Sequence, residues 1–261
     1  MMLAEQELRQ ISLQDSVVYG PVRSRRLGSS LGINLLPVSY KLCSSNCVYC
    51  QYSWTVPPAN PERLKRAPEL LEEIERAFAA FAASGTLVHS ITLAGNGEPT
   101  LHPDLEAIVS GLKPLRDRYL PAAKLSVLSD ATQLHRPAVA RALGLLDVRY
   151  MKFDAGDEAT WRQINDPLGD ADWGRMIASI KALPDIILQS MFVQGSFDNT
   201  RPEQIASWVQ LVSEIRPRSV QVYTVDRAPA DAGIRKVPPA QLEAIASTLT
   251  TRTGIPAEVY E

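Results

Sequence analysis

Short β-rich apolar runs alternate with amphipathic stretches along almost the whole chain, and that rhythm constrains the fold more than any other feature. The runs Ile33–Leu36, Ser90–Ala94, Lys124–Ser129, Val148–Phe153, Ile186–Phe192 and Val220–Val225 read as strands, and Ala257–Tyr260 as an edge. Between them, Glu69–Phe81, Asp104–Leu112, Ala138–Leu143, Trp173–Ala182, Pro202–Glu214 and Pro239–Leu249 read as helices. Pro68 and Pro103 stand at first-turn positions, and Ser84-Gly85 supplies a stop. Strand–helix alternation of this kind builds a parallel sheet covered by helices. The expected fold class is α/β, a partial (β/α)6 TIM-like barrel of parallel strands. Its chemistry belongs at the carboxyl ends of the strands.

At 261 residues the chain can bury one core, and no internal repeat or long linker divides it. The expectation is a single domain over 1–261, with 1–30 as an N-terminal extension. Loops fall at the Pro-rich stretches Val56–Pro61 and Ala228–Pro239. No apolar run is long enough to span a bilayer, and MMLAEQELRQ carries charges where a signal peptide needs apolar residues, so a cytoplasmic protein is expected. Net charge is −2, which lacks the basic excess of a protein that grips nucleic acid along its surface.

The chain has 3 cysteines, clustered in Cys43-Ser-Ser-Asn-Cys47-Val-Tyr-Cys50 just after the first expected strand. An odd, tight set is a poor disulfide framework, so metal or cluster binding is the first reading. Three thiolates leave one iron of a cubane cluster open, because a closed cluster usually takes four. A structural zinc site would need a fourth ligand from His89, His102 or His135, which are oddly spaced for a finger. A redox pair of Cys47 and Cys50 would leave Cys43 unexplained.

Spacing of three then two residues, with Tyr49 before the last cysteine, resembles the radical S-adenosylmethionine superfamily. The resemblance implies a [4Fe-4S] cluster on Cys43, Cys47 and Cys50, whose open iron is chelated by S-adenosylmethionine, with Tyr49 near the adenine. After the second strand, Leu93-Ala-Gly-Asn-Gly-Glu-Pro-Thr100 resembles the superfamily's glycine–glycine–glutamate motif. Asn96 replaces one glycine, and Gly95, Gly97 and Glu98 join it as expected contacts for the methionine amino group. The third strand end offers Ser129, then Asp130, as the hydroxyl or amide the superfamily often presents there; helix or turn capping is the competing role.

Alternation on the fourth strand puts Tyr150, Lys152 and Asp154 on one face. Pointing inward, Lys152 would anchor a carboxylate and Asp154 would bind ribose or substrate; a structural Lys–Asp pair is the alternative. Gln189, Tyr223 and Asp226 are expected substrate contacts. The cluster Arg23, Arg25 and Arg26 could bind an anionic substrate or tRNA phosphate, or form a solvated basic loop. His102 reads as a helix cap, while His89 and His135 carry no separable signal.

The segment Tyr19–Gly28, with Leu31-Gly-Ile-Asn34, resembles radical proteins grouped with the tRNA wyosine-base synthases, as do Gly95–His102, Lys152–Glu158 and Gln221–Arg227. Those synthases carry extra cysteines for a second cluster, which this chain lacks. Asp130 and Asp166 depart from that pattern. The resemblance implies reductive cleavage of S-adenosylmethionine to a 5′-deoxyadenosyl radical that abstracts hydrogen from a substrate, with electrons from a donor such as flavodoxin or ferredoxin. Acidic balance and minimal length favour a small-molecule substrate. Radical modification of tRNA or a protein, and a non-enzymatic metal- or cluster-binding scaffold, are the alternatives.

Overall fold

A computed structural model describes residues 11–260; the charged opening segment, residues 1–10, and Glu261 lie outside the described residues. The chain runs through β1 (Val18–Ser24), β2 (Gly28–Ile33), α1 (Ala67–Ala83), β3 (Ser90–Leu93), α2 (Leu105–Tyr119), β4 (Lys124–Ser129), α3 (Pro137–Gly144) and β5 (Val148–Lys152). It continues through α4 (Glu158–Asn165), α5 (Trp173–Ala182), β6 (Ile186–Met191), β7 (Gln194–Gly195), α6 (Pro202–Ile215), β8 (Ser219–Tyr223), β9 (Ile234–Arg235), α7 (Pro239–Thr253) and β10 (Ala257–Tyr260).

Eight strands form one sheet in the order β1-β2-β3-β4-β5-β6-β8-β10. Only β1 is antiparallel to its neighbour; every other pairing in this sheet is parallel. The sheet curls into a half-barrel, the expected partial TIM-like architecture. The tiny strands β7 and β9 pair antiparallel as a separate ribbon.

One continuous apolar core lies between the sheet and its helices. Ile33, Ile91, Leu125, Val127, Met151 and Leu188 meet Leu70, Ile74 and Phe78 of α1 and Ile108 and Leu112 of α2. Strand alternation therefore gives one face of each strand to the helices and the other to the lumen.

Three differences from the sequence expectations have local causes. The first parallel strand is Gly28–Ile33, upstream of the Ile33–Leu36 run. Its Gly-Ser-Ser-Leu-Gly composition reads as a turn, yet Ser30 registers with Ser90, and a Cβ on Gly32 would lie 2.0 Å from the Tyr19 ring. Leu35 and Leu36 lie past the strand, where Asn34 exchanges hydrogen bonds with Leu36. Helix α2 runs through Pro114 to Tyr119 and packs closely on α1, where a Cβ on Gly111 would lie 2.4 Å from Leu71. Helix α4 has no counterpart among the expected helices, although Asp157 caps it by accepting from the Thr160 N–H at 2.8 Å.

Candidate active site

The cysteine loop leaves β2 and is stitched across the carboxyl ends of the neighbouring strands. Leu42 N–H donates to the Asn96 carbonyl at 2.9 Å, and Glu98 N–H returns to the Leu42 carbonyl at 3.0 Å. Gly97 makes this approach possible: at φ +141° it has no side chain, and a Cβ there would lie 1.7 Å from the Leu42 oxygen. Farther along, Asn46 N–H donates to Asp166 O at 2.9 Å, Val48 N–H to Ile164 O at 3.0 Å, and Leu168 N–H to Ser44 O at 2.8 Å. The end of α4 thus braces the loop from the far side.

Side chains complete the brace. Asp130, just past β4, accepts from the hydroxyls of Ser44 at 2.7 Å and Ser45 at 2.8 Å. Its other oxygen accepts from Thr132. Beneath it, the buried Glu98 accepts from Thr100 N–H at 3.0 Å, Ser129 Oγ at 2.9 Å and Asp130 N–H at 2.6 Å. Burial, and then the charge of Asp130, push the Glu98 carboxyl up to about 8 against these donors. Ser129 therefore reaches Glu98, and Asn96 is spent on Gln14, Asn34 and Pro37.

The three thiols are free and half-buried on this loop. Burial raises the Cys43 thiol and pushes Cys47 up to about 11, while hydrogen bonds from Tyr49 and Asn165 work against it. Asn165, the last residue of α4, points its amide nitrogen at Cys47 Sγ (3.4 Å), Tyr49 Oη (2.9 Å) and Asp154 Oδ2 (2.7 Å). Its Oδ1 is buried with no hydrogen-bond partner among the described residues.

Asp154 is the hub beside it. It accepts from the Tyr49 hydroxyl, from Asn165, and from Met191 N–H at 2.7 Å, and pairs with Lys152 at 3.3 Å. The Lys152 ammonium donates to Tyr223 Oη at 2.6 Å and sits 4.4 Å from the Tyr49 ring centroid. Burial pulls Lys152 down, but Asp154 and Tyr223 outweigh it, so its pKa is raised and the cation persists. A narrow cleft opens here, lined by Ser45, Asp130, Lys152, Asp154, Asn165 and Trp173 among others.

The structure thus gathers Cys43, Cys47, Cys50, Tyr49, Glu98, Ser129, Lys152, Asp154 and Tyr223 around one rim. Gln189 lies deeper in the lumen, donating to Gln221 at 2.7 Å. Asp226 is half-exposed and pairs with Arg25 at 3.0 Å. His102 precedes α2 and accepts from the Asp104 N–H at 3.1 Å, but the cap position of that helix is held by Asp104. Three residues gain roles that spacing did not assign. Asn165 lies in α4, which has no counterpart among the expected helices and whose cap at Asp157 is the available signal; Asp130 and Asp166, visible as departures from the related pattern, both hold the cysteine loop.

This donor set fits an iron–sulfur cluster. Its sulfurs share one loop, an amide N–H aims at one of them, and carboxylates secure the backbone rather than compete as ligands. Among the described residues, no three His, Cys, Asp or Glu side chains gather as a single ion requires. No helix of the described residues is long and apolar enough to cross a membrane.

Residues 38–220, from the start of the cysteine loop to β8, match the model of the Radical SAM superfamily. A UPF0026 protein of Methanocaldococcus jannaschii is 30% identical over 240 residues, which cover 90% of this chain and 70% of the relative. A radical SAM methyltransferase from Sphaerobacter thermophilus has the same fold, with TM-score 0.66 and 15% identity over 88% of this chain and 65% of that chain. A structure of TYW1 with a lysine-pyruvate adduct bound gives TM-score 0.59 and 14% identity, over 86% of this chain and 74% of that one. The superfamily implies S-adenosylmethionine and an iron–sulfur cluster as cofactors, and its members generally need a reductant. Half-barrel, cysteine loop and family match agree, and the chain belongs to the Radical SAM superfamily of radical enzymes.

Proposed function

We propose that Cys43, Cys47 and Cys50 hold a [4Fe-4S] cluster with one open iron, and that the chain uses it to act on a small-molecule substrate in the barrel mouth. The observation that carries this reading is the loop itself: 3 cysteines in the whole chain, all on one braced rim segment. When bound, the cluster and S-adenosylmethionine supply a 5′-deoxyadenosyl radical, which abstracts hydrogen from the substrate.

The protein's part is orientation and exclusion of water. Tyr49, held by Asp154 and Asn165, presents one ring face to Lys152 and forms a fixed wall beside the cysteines. Gly95, Asn96, Gly97 and Glu98 shape the turn that receives the methionine end. The orphaned Asn165 Oδ1 is an acceptor for a cofactor N–H or O–H. Lys152 stays cationic and suits a carboxylate. Electrons come from a donor such as flavodoxin or ferredoxin.

Anaerobic reconstitution tests the reading. About four irons per chain, and 5′-deoxyadenosine formed from S-adenosylmethionine under strong reductant, are expected. Bound zinc, a fully ligated cubane, or no 5′-deoxyadenosine would overturn it.

A further inference from the structure

The two faces of the half-barrel have opposite chemistry. Ile33, Ile91, Val127, Met151, Leu188 and Val222 face the helices inside the apolar core. The alternate positions, which face the lumen, carry Ser30, Thr92, Ser126, Lys152, Gln189 and Gln221, with Leu128, Ile187 and Met191 as apolar members. Near the strand starts, Ser30 and Thr92 hydroxyls lie 2.9 Å apart, and Thr92 and Ser126 are also 2.9 Å apart. Closed barrels fill this space with branched apolar side chains. Here polar groups line it, and most satisfy one another: Gln189 bonds Gln221, and Lys152 bonds Tyr223 and Asp154.

Arg26 is the exception. It enters from the β1–β2 turn and sets its guanidinium carbon 4.4 Å from the Tyr223 ring centroid. Its Nη1 is shut off from solvent and has no hydrogen-bond partner among the described residues. Among the described residues it has no ion pair, whereas the adjacent Arg25 takes Asp226 at 3.0 Å. Glu258 on the edge strand accepts from the Tyr260 hydroxyl at 2.5 Å rather than from Arg26. A buried guanidinium donor without an acceptor is costly, and oxyanions match its planar fork. The Lys152 ammonium also lies 4.9 Å from the Tyr223 centroid, so two cations border one ring while Asp154 answers only one of them.

We propose that Arg26 is the anion-binding residue for the substrate, and that the lumen takes a small polar molecule bearing a carboxylate or phosphate group. This rests on the proposed function for the lumen's role as a substrate site and names the substrate class. Arg26 grips the oxyanion through its fork, Tyr223 fixes the plane of the guanidinium, and the amide and hydroxyl side chains receive the rest of the molecule.

Isothermal titration calorimetry on the anaerobically reconstituted full chain, with and without S-adenosylmethionine, tests this using inorganic phosphate and, separately, succinate as probes. At least one probe saturates the wild-type protein, and Arg26→Gln weakens that binding by at least about tenfold. Response to phosphate identifies a phosphorylated substrate, response to succinate a carboxylate. Arg26→Lys keeps the charge but loses the fork, gives an intermediate loss, and carries the comparison should Arg26→Gln fail to fold. Arg76→Gln, on the exposed face of α1, leaves binding unchanged. Neither probe binding the wild type, equal binding by wild type and both Arg26 variants, or a tenfold loss of S-adenosylmethionine affinity in Arg26→Gln would each overturn the assignment. Production of 5′-deoxyadenosine is not the readout. A chain that binds anions through Arg26 yet never cleaves S-adenosylmethionine sinks the proposed function and leaves this assignment standing.

Discussion

Asp130 ties the cysteine loop to the end of β4. Its carboxylate takes the hydroxyls of Ser44 and Ser45, and its backbone N–H anchors Glu98. Removing it strands two hydroxyls and frees the loop, so Asp130→Ala is expected to cost about 1–3 kcal/mol in urea denaturation and to lower iron content after reconstitution. Cys47→Ala acts differently. The loop lies at the rim rather than in the core, so iron binding is lost while far-UV circular dichroism is unchanged; retained iron would contradict its role. Glu98 gives a pH signature. Its carboxyl, ordinarily near 4.5, is raised to about 8 in the folded chain. Below the lower value both states hold the proton, and above the upper both release it. Between them only the folded state keeps it, so stability falls as pH rises from about 4.5 to about 8. Denaturation of the cluster-free chain across this window measures the slope, which Glu98→Gln should flatten.

At the scale of elements, the site depends on two pieces that touch no substrate. The Leu42–Gly97 pairing joins the cysteine loop to the end of β3. Gly97→Ala forces a Cβ against the Leu42 carbonyl at a φ that disfavours side chains. Loss of that pairing is expected to abolish cluster incorporation while the helices persist by circular dichroism. The second piece is α4, capped by Asp157 and ended by Asp166 in the left-handed conformation at φ +40°. Its last turn receives the N–H groups of Asn46 and Val48. Asp157→Ala removes the cap and should cost about 1 kcal/mol, read as a lowered denaturation midpoint. Because α4 carries Asn165, the same variant should broaden the cluster's electron paramagnetic resonance signal.

For the whole molecule, seven parallel strands and one antiparallel edge make a half-barrel whose helix side is apolar and whose interior is mostly polar. That division explains how a chain of net charge −2 keeps the cations of Lys152 and Arg26 together beside the Tyr223 ring: the overall charge balance does not set the charges of the lumen. Much of this was legible in the sequence. Five parallel strands, β3, β4, β5, β6 and β8, and the edge strand β10 follow from apolar periodicity, because each must bury a face against helices. The cysteine spacing and the Gly-Asn-Gly-Glu turn announced the family, because cluster chelation and a close backbone approach tolerate few other residues. The inward set Tyr150, Lys152 and Asp154 followed from the two-residue repeat. What stayed hidden depends on partners distant in the chain. Gly28–Ile33 is a strand only because β3 and the Tyr19 ring accept its small residues. Asn165 and Asp166 become loop braces only once α4 folds over the rim, Asp130 only once the end of β4 meets Ser44 and Ser45, and Arg26 Nη1 loses its solvent only when the hairpin turn reaches Tyr223. Periodicity and motif spacing are local and survive in one dimension, whereas a hydrogen bond across about a hundred residues, such as Asn165 to Cys47, exists only after the sheet has curled.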